Sequence, residues 1–428
     1  MNALLDTIAR HKQGHAVGVT SICSAHPIVI EASLRHARQH DDGLVLFEAT
    51  CNQVNQDGGY TGMTPADFVS FVRGIADRVG FDVSRIALGG DHLGPNPWTS
   101  LPPDAAMAKA ETMVAAYVRA GFRKIHLDCS MSCAGDPVPL PEEEIVRRAV
   151  RLAKAAEAAH AQASGGSEPP VYVIGTEVPV PGGATEAIEG LAVTTPQAAL
   201  ATIEAHRQAF LAAGLEAAWS RVIASVVQPG VEFDHHNVID YGPRKAQALS
   251  HAITAVRNMV YEAHSTDYQT RGALRALVRD HFAILKVGPG LTFAMREALW
   301  ALDAIDQEIS AENAQARLRD TVLERMREFP KYWQKYYHGN GKPLTVDLQY
   351  SLSDRVRYYW PDPVIEAARV KLFDNLRANP PPLPLLSQHL PTVLQAVREG
   401  AATRDPLSLS MAHVGAVLDD YHHACHTH

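Results

Sequence analysis

The chain has 428 residues, 46% of them hydrophobic, enough to bury a large core, and a formal net charge of −8 with histidine neutral. The acidic balance argues against nucleic acid as the main partner, because a phosphate backbone calls for a basic face. No apolar run spans a bilayer and the first residues lack a signal-peptide core, so a cytoplasmic protein with its five cysteines reduced is expected.

Strand-like and helix-like runs alternate from about residue 15 to residue 305. The first predicted strand is 17–24, followed by a helix from Pro27. The second, 44–50, carries Glu48 and leads into a polar loop, 51–62, that contains Asn52 and three glycines. Thr64-Pro65 opens the next helix with a cap and a first-turn proline. The third strand runs into Gly89-Gly90-Asp91-His92-Leu93-Gly94-Pro95-Asn96, which delivers an acid and an imidazole at its C-terminal end. A helix over roughly 105–120 leads to the fourth strand, 124–130, with Asp128. A helix over 142–161 and a Gly/Ser/Pro-rich loop precede the fifth, 171–177, which ends at Glu177. A helix near 195–213 leads to the sixth, 221–230, whose loop holds His235 and His236. The seventh, 259–267, carries His264. The eighth, 283–290, holds Lys286, Gly288 and Gly290.

Eight such alternations, with continuously apolar strands, predict a (β/α)8 TIM barrel over residues 1–305. A doubly wound open sheet would need a glycine-rich nucleotide loop after the first strand, and none is present. Beyond 306 the pattern is helical. It predicts a C-terminal extension, 306–428, packed on the barrel, with a stiff break at 380–384 and two last helices. The histidine-rich end, 422–428, offers metal donors but is expected to fray as a terminus.

In such a barrel the reactive groups lie at the C-terminal strand ends. Glu48, Asp91, His92, Asp128, Glu177, His264 and Lys286 fall there, with His235 just beyond. His92, His235 and His264 make a candidate set for a divalent cation, with Glu177 as a fourth donor. Zinc suits histidine with an open position, and manganese, cobalt or nickel are alternatives. A metal near Asp91 would polarise the carbonyl and hydroxyl of a ketose, and Asp91, Asp128 or Glu177 would move the hydroxyl proton. Lys286 to Gly290 reads as a phosphate seat or as a strand end closing the barrel. Arg355 and Arg357 read either as ligands of a sugar phosphate or as part of an aromatic hinge.

Several long segments carry a resemblance: 23–27, Glu48-Ala49-Thr50, 58–63, the Gly89–Asn96 stretch, 124–132, 175–183, 228–238, 262–269, 285–289 and 353–360. They resemble the accessory (Z) subunit family of bacterial tagatose-bisphosphate aldolase, a relative of class II aldolases. The resemblance implies a barrel and a place in galactitol, N-acetylgalactosamine or tagatose breakdown. It implies Asp91 as the catalytic acid placed directly before a ligand, His92, with further ligands at His235 and His264. Some members are held to support a separate class II aldolase catalytic subunit. Others resemble sugar C4-epimerases acting on tagatose, fructose or their phosphates. Older labels name a kinase, but no Gly-x-x-x-x-Gly-Lys-Ser/Thr loop is present. The expected function is a metal-dependent ketohexose or ketohexose-phosphate 4-epimerase, with the accessory subunit as the alternative. A homo-oligomer is also allowed.

Overall fold

The structure is a computed structural model that describes residues 2–163, 168–176 and 191–426. Glu177 and most of the loop behind the fifth strand lie outside the described residues. Among the described residues ten strands occur: β1 (Val19–Ile22), β2 (Val45–Thr50), β3 (Ile86–Leu93), β4 (Lys124–Leu127), β5 (Val171–Gly175), β6 (Val222–Val226), β7 (Glu232–Phe233), β8 (Val238–Ile239), β9 (Val260–Ala263) and β10 (Phe282–Val287). Eight of them form a closed parallel barrel in the order β1-β10-β9-β6-β5-β4-β3-β2. β7 and β8 form a separate antiparallel hairpin. The barrel therefore stands as expected, and the hairpin and the helix Pro243–Ala252 are additions that the sequence pattern did not reveal.

The strands are buried on both faces, which explains their continuous apolar runs. Their outward residues pack under the helices. Their inward residues at the N-terminal end, Val19, Leu46, Ala87, Val171 and Ile284, form a second apolar cluster. Leu4 and Ile8 of the first helix, Asn2–Lys12, belong to that cluster.

Helix Pro289–Ile309 follows β10, so the expected boundary at 305 falls inside one helix. All described elements after it are helical. Three helices rather than two follow the proline run, and the last, Pro406–His426, is not frayed. It lies against helices Pro27–Gln39 and Arg271–Arg279 and buries Leu409, Val414, Leu418 and Tyr421 in the same apolar core as the barrel helices. The Tyr421 hydroxyl donates to the Thr266 carbonyl at 2.8 Å, and the Gly18 amide donates to the Cys425 carbonyl at 3.0 Å. No helix among the described residues is long and apolar enough to cross a membrane.

Candidate active site

Glycine at position 89 makes the floor of the site. Gly89 pairs in register with both Glu48 on β2 and Lys124 on β4. A Cβ there would lie 2.8 Å from Glu48 Cγ and 3.3 Å from Lys124 Cβ. Without it, Lys124 Nζ reaches Glu48 Oε1 at 2.7 Å and Glu262 Oε2 at 2.6 Å, with all three side chains fully buried. Lys286 Nζ sits above this layer, 2.8 Å from Glu48 Oε2 and 2.7 Å from Asp91 Oδ1.

The next layer toward the C-terminal ends holds Asp91, His92, His126 and His264. Each offers a donor atom, all four donors lie within 4.8 Å of one another, and all four residues are buried. Two consecutive side chains of β3 serve this one site because its pairing with β4 is irregular between Gly90 and Leu93 and His92 takes a left-handed φ of 49°. The third glycine is tight as well: a Cβ on Gly94 would be 1.7 Å from the Asp128 carbonyl oxygen.

Each of the three rings is held from outside, and the His126 ring also meets the His92 amide and Asp91 Oδ1 through its Nδ1, each at 3.2 Å. His92 Nδ1 pairs with Asp128 Oδ2 at 2.7 Å, His264 Nε2 with Glu262 Oε1 at 2.9 Å, and His126 Nε2 with the Gly175 carbonyl at 3.0 Å. An outer acceptor on one ring nitrogen fixes the tautomer and directs the other nitrogen at a shared ion. With the three rings neutral, as metal ligands are, Asp91, Asp128, Glu48 and Glu262 set four carboxylates against Lys124 and Lys286, an excess of two negative charges that a divalent cation would balance where ring protons otherwise do. Donor chemistry, burial and charge all fit a zinc-class ion.

Burial alone would raise the Asp91 carboxyl. The charges of His92 and Lys286 outweigh burial and hold it well below the usual carboxylate range. Asp128 is lowered for the same reason, by its bond to His92. Lys286 is held well above its ordinary value, because Asp91, Glu48 and Glu262 more than offset its burial. A lysine so paired stays charged, which removes it as a Schiff-base nucleophile.

The residues proposed from sequence are thus partly together. Asp91, His92 and His264 meet in the cluster, Asp128 stands behind His92, and Glu48 lies in the floor. Glu177 lies outside the described residues. His235 is elsewhere: its Nδ1 pairs with Ser351 Oγ and its Nε2 with the Tyr336 carbonyl, each at 3.0 Å, so both nitrogens fasten the β7–β8 hairpin to the helical extension. His126, not singled out from sequence, occupies the third ring position. Its signal was the period-two spacing Lys124, His126, Asp128 along one strand face.

The expected phosphate seat after β10 is differently filled. The Gly288 and Gly290 amides donate to Asp267 Oδ1 at 2.9 and 2.7 Å. Burial pushes the Asp267 carboxyl up to about 6 against the pull of those two amides. Arg357 faces the cavity of ≈ 120 Å³ above the cluster, together with Asn52, Tyr60 and Tyr358. It also faces an adjoining cavity of ≈ 550 Å³ toward helix Pro363–Ala378. Its guanidinium donates to the Asp354 carbonyl and the Tyr358 hydroxyl at 3.1 Å each. Arg355 instead lies over the Tyr336 ring at 3.2 Å and does not line the cavity.

Comparisons with known proteins agree with this architecture. The structure superposes on a protein from Sinorhizobium meliloti 1021, described as a probable tagatose 6 phosphate kinase, with 51% identity, a TM-score of 0.88, and coverage of 95% of this chain and 100% of that one. It shares its fold with the glycerol-complexed fructuronate-tagaturonate epimerase UxaE of Cohnella laeviribosi, at 12% identity and a TM-score of 0.51, covering 95% of this chain and 81% of that one. Residues 4–426 match the profile of the GatZ/KbaZ-like subunits of D-tagatose-1,6-bisphosphate aldolase. The chain belongs to the D-tagatose-1,6-bisphosphate aldolase subunit GatZ/KbaZ-like family.

Proposed function

We propose that this chain is itself an enzyme, a metal-dependent 4-epimerase of a ketohexose or its phosphate that works by retro-aldol cleavage and re-addition. The observation that carries this reading is the set of three rings, each oriented by an outer acceptor, beside an acid held ionised by a lysine. His92, His126 and His264, with Asp91 alongside, would hold the ion. A bound zinc, manganese or cobalt ion supplies Lewis acidity toward the ketose carbonyl and its neighbouring hydroxyl.

The chain's own groups do the rest. Asp91 takes the C4 hydroxyl proton. The O–H electron pair becomes the C4 carbonyl, and the C3–C4 bond breaks, leaving its electrons on the three-carbon enolate. The aldehyde fragment turns its other face, C3 re-adds to C4, and Asp91 returns the proton to O4. The sequence is redox-neutral and needs no second reactant. Lys286 keeps Asp91 ionised, and Asp128 and Glu262 hold two of the rings in place. Arg357 and Tyr358, across the cavity, suit an anionic far end of the substrate.

The test is an assay of the purified chain with each metal, on free and phosphorylated tagatose and fructose. No interconversion under any condition overturns the reading. A second reading, support of a separate class II aldolase subunit, is favoured by the family's description as a subunit. It predicts activity only when the two chains are mixed. Phosphoryl transfer, the activity in the name of the Sinorhizobium protein, is disfavoured here because Asp267 already takes the amides of the glycine pair nearest the site.

A further inference from the structure

A second group of histidines lies on the outside of the barrel, away from the mouth. Helix Pro27–Gln39 carries His36 and is capped by His40. The last helix, Pro406–His426, carries Asp419, His422 and His426. Each helix thus presents histidines four residues apart, on one face. The two faces meet: ring centroids are 4.4 Å apart for His36 and His40, 4.3 Å for His40 and His422, and 4.5 Å for His422 and His426. Asp419 Oδ1 lies 2.8 Å from His36 Nε2 and 3.4 Å from His40 Nε2. Asp42 Oδ1 lies 3.0 Å from His422 Nδ1.

We propose that this patch is a transition-metal site, taking a zinc-class divalent ion between the two helices. His36, His40 and Asp419 bring donor atoms within 4.8 Å of one another, and so do Asp42, His422 and His426. Both carboxylates pair with these rings rather than with a lysine or arginine, so the cation that would balance them is of the kind imidazole binds. There is room beside them, because His36, Asp42, His422 and His426 line a cavity of ≈ 60 Å³. The ion fastens the last helix to the barrel, one turn from the Cys425 carbonyl that receives the Gly18 amide.

The full chain, without an affinity tag, is titrated with zinc against a chromophoric chelator and with cobalt by visible absorption. Two classes of bound ion are expected. The double variant His40→Gln/His422→Gln keeps the barrel-mouth class and binds the outer ion about a hundredfold more weakly or worse. His126→Asn does the reverse. Zinc raises the Tm of the parent by an increment that the double variant lacks, while equal Tm values without metal show that the double variant folds. Equal zinc uptake and equal zinc-induced Tm shifts in the parent and the double variant overturn the proposal. The barrel-mouth reading fails separately, as a loss of effect in His126→Asn.

Discussion

On the β3–β4–β9 side of the barrel mouth, carboxylates outnumber lysines and three rings turn toward one point. On the β10 side, two backbone amides converge after Val287, and the chain's own Asp267 takes them. The first half is left with negative charge that its residues do not cancel. The second has cancelled its positive dipoles internally, at the expense of burying a carboxyl. Charge left over at a buried site marks where a ligand enters, whereas charge already answered marks structure, even where the local pattern looks like a binding loop.

The sharpest way to break this comparison is Asp91→Asn. It keeps the shape of the cation half but removes its proton acceptor, and epimerase kcat is expected to fall about 1,000-fold. The chain should still bind zinc through its rings; turnover within tenfold of the parent would take Asp91 out of the mechanism. Lys124→Met attacks the floor instead. It removes the closer of the two cations that the fully buried Glu48 and Glu262 share and leaves Lys286 alone beside them, which is expected to cost about 3–5 kcal/mol in urea unfolding.

Asp267→Asn addresses the other half. The folded carboxyl titrates near 6, above its unfolded value of about 3.9, so the native state binds the extra proton between those values. Stability is therefore complete below about pH 4 and declines as pH rises toward 6. The amide should flatten that decline, gaining on the order of 2–3 kcal/mol relative to the parent at pH 7. Equal pH slopes for the two proteins, read from denaturation midpoints, would contradict the burial argument. The smallest effect is expected from Arg357→Ala. For phosphorylated ketose KM should rise about 10- to 100-fold with kcat little changed, and for the free sugar KM should barely move.

How much of this was legible in the sequence follows from the same physics. Parallel strands buried on both faces read as short apolar runs, and the helix at 142–161 announces itself by its charge pattern and its first-turn acids. The β7–β8 hairpin does not, since two residues per strand carry no periodicity. Asp91 and His92 stand out because glycines flank them. His126 is hidden inside an apolar strand, and only alternation along 124–128 points it inward. His235 reads as a ligand because it sits in a polar loop behind a strand, yet its partners, Ser351 and Tyr336, lie more than a hundred residues further on, beyond any local pattern.

Two contacts of the last helix bear on how the molecule is made. The Gly18 amide, at the entry to β1, is answered by the carbonyl of Cys425, and Thr266, beside the mouth, by Tyr421. A chain emerging from the ribosome has all eight barrel strands out long before either partner exists. Until helix 406–426 arrives, the faces of helices Pro27–Gln39 and Arg271–Arg279 that it covers stay open to solvent around a barrel already closed by its own strands. Docking through contacts this distant in sequence is slow. Helix 406–426 therefore times when the outer apolar faces are covered, and the interval before it docks is when the chain is most exposed to aggregation or to a chaperone.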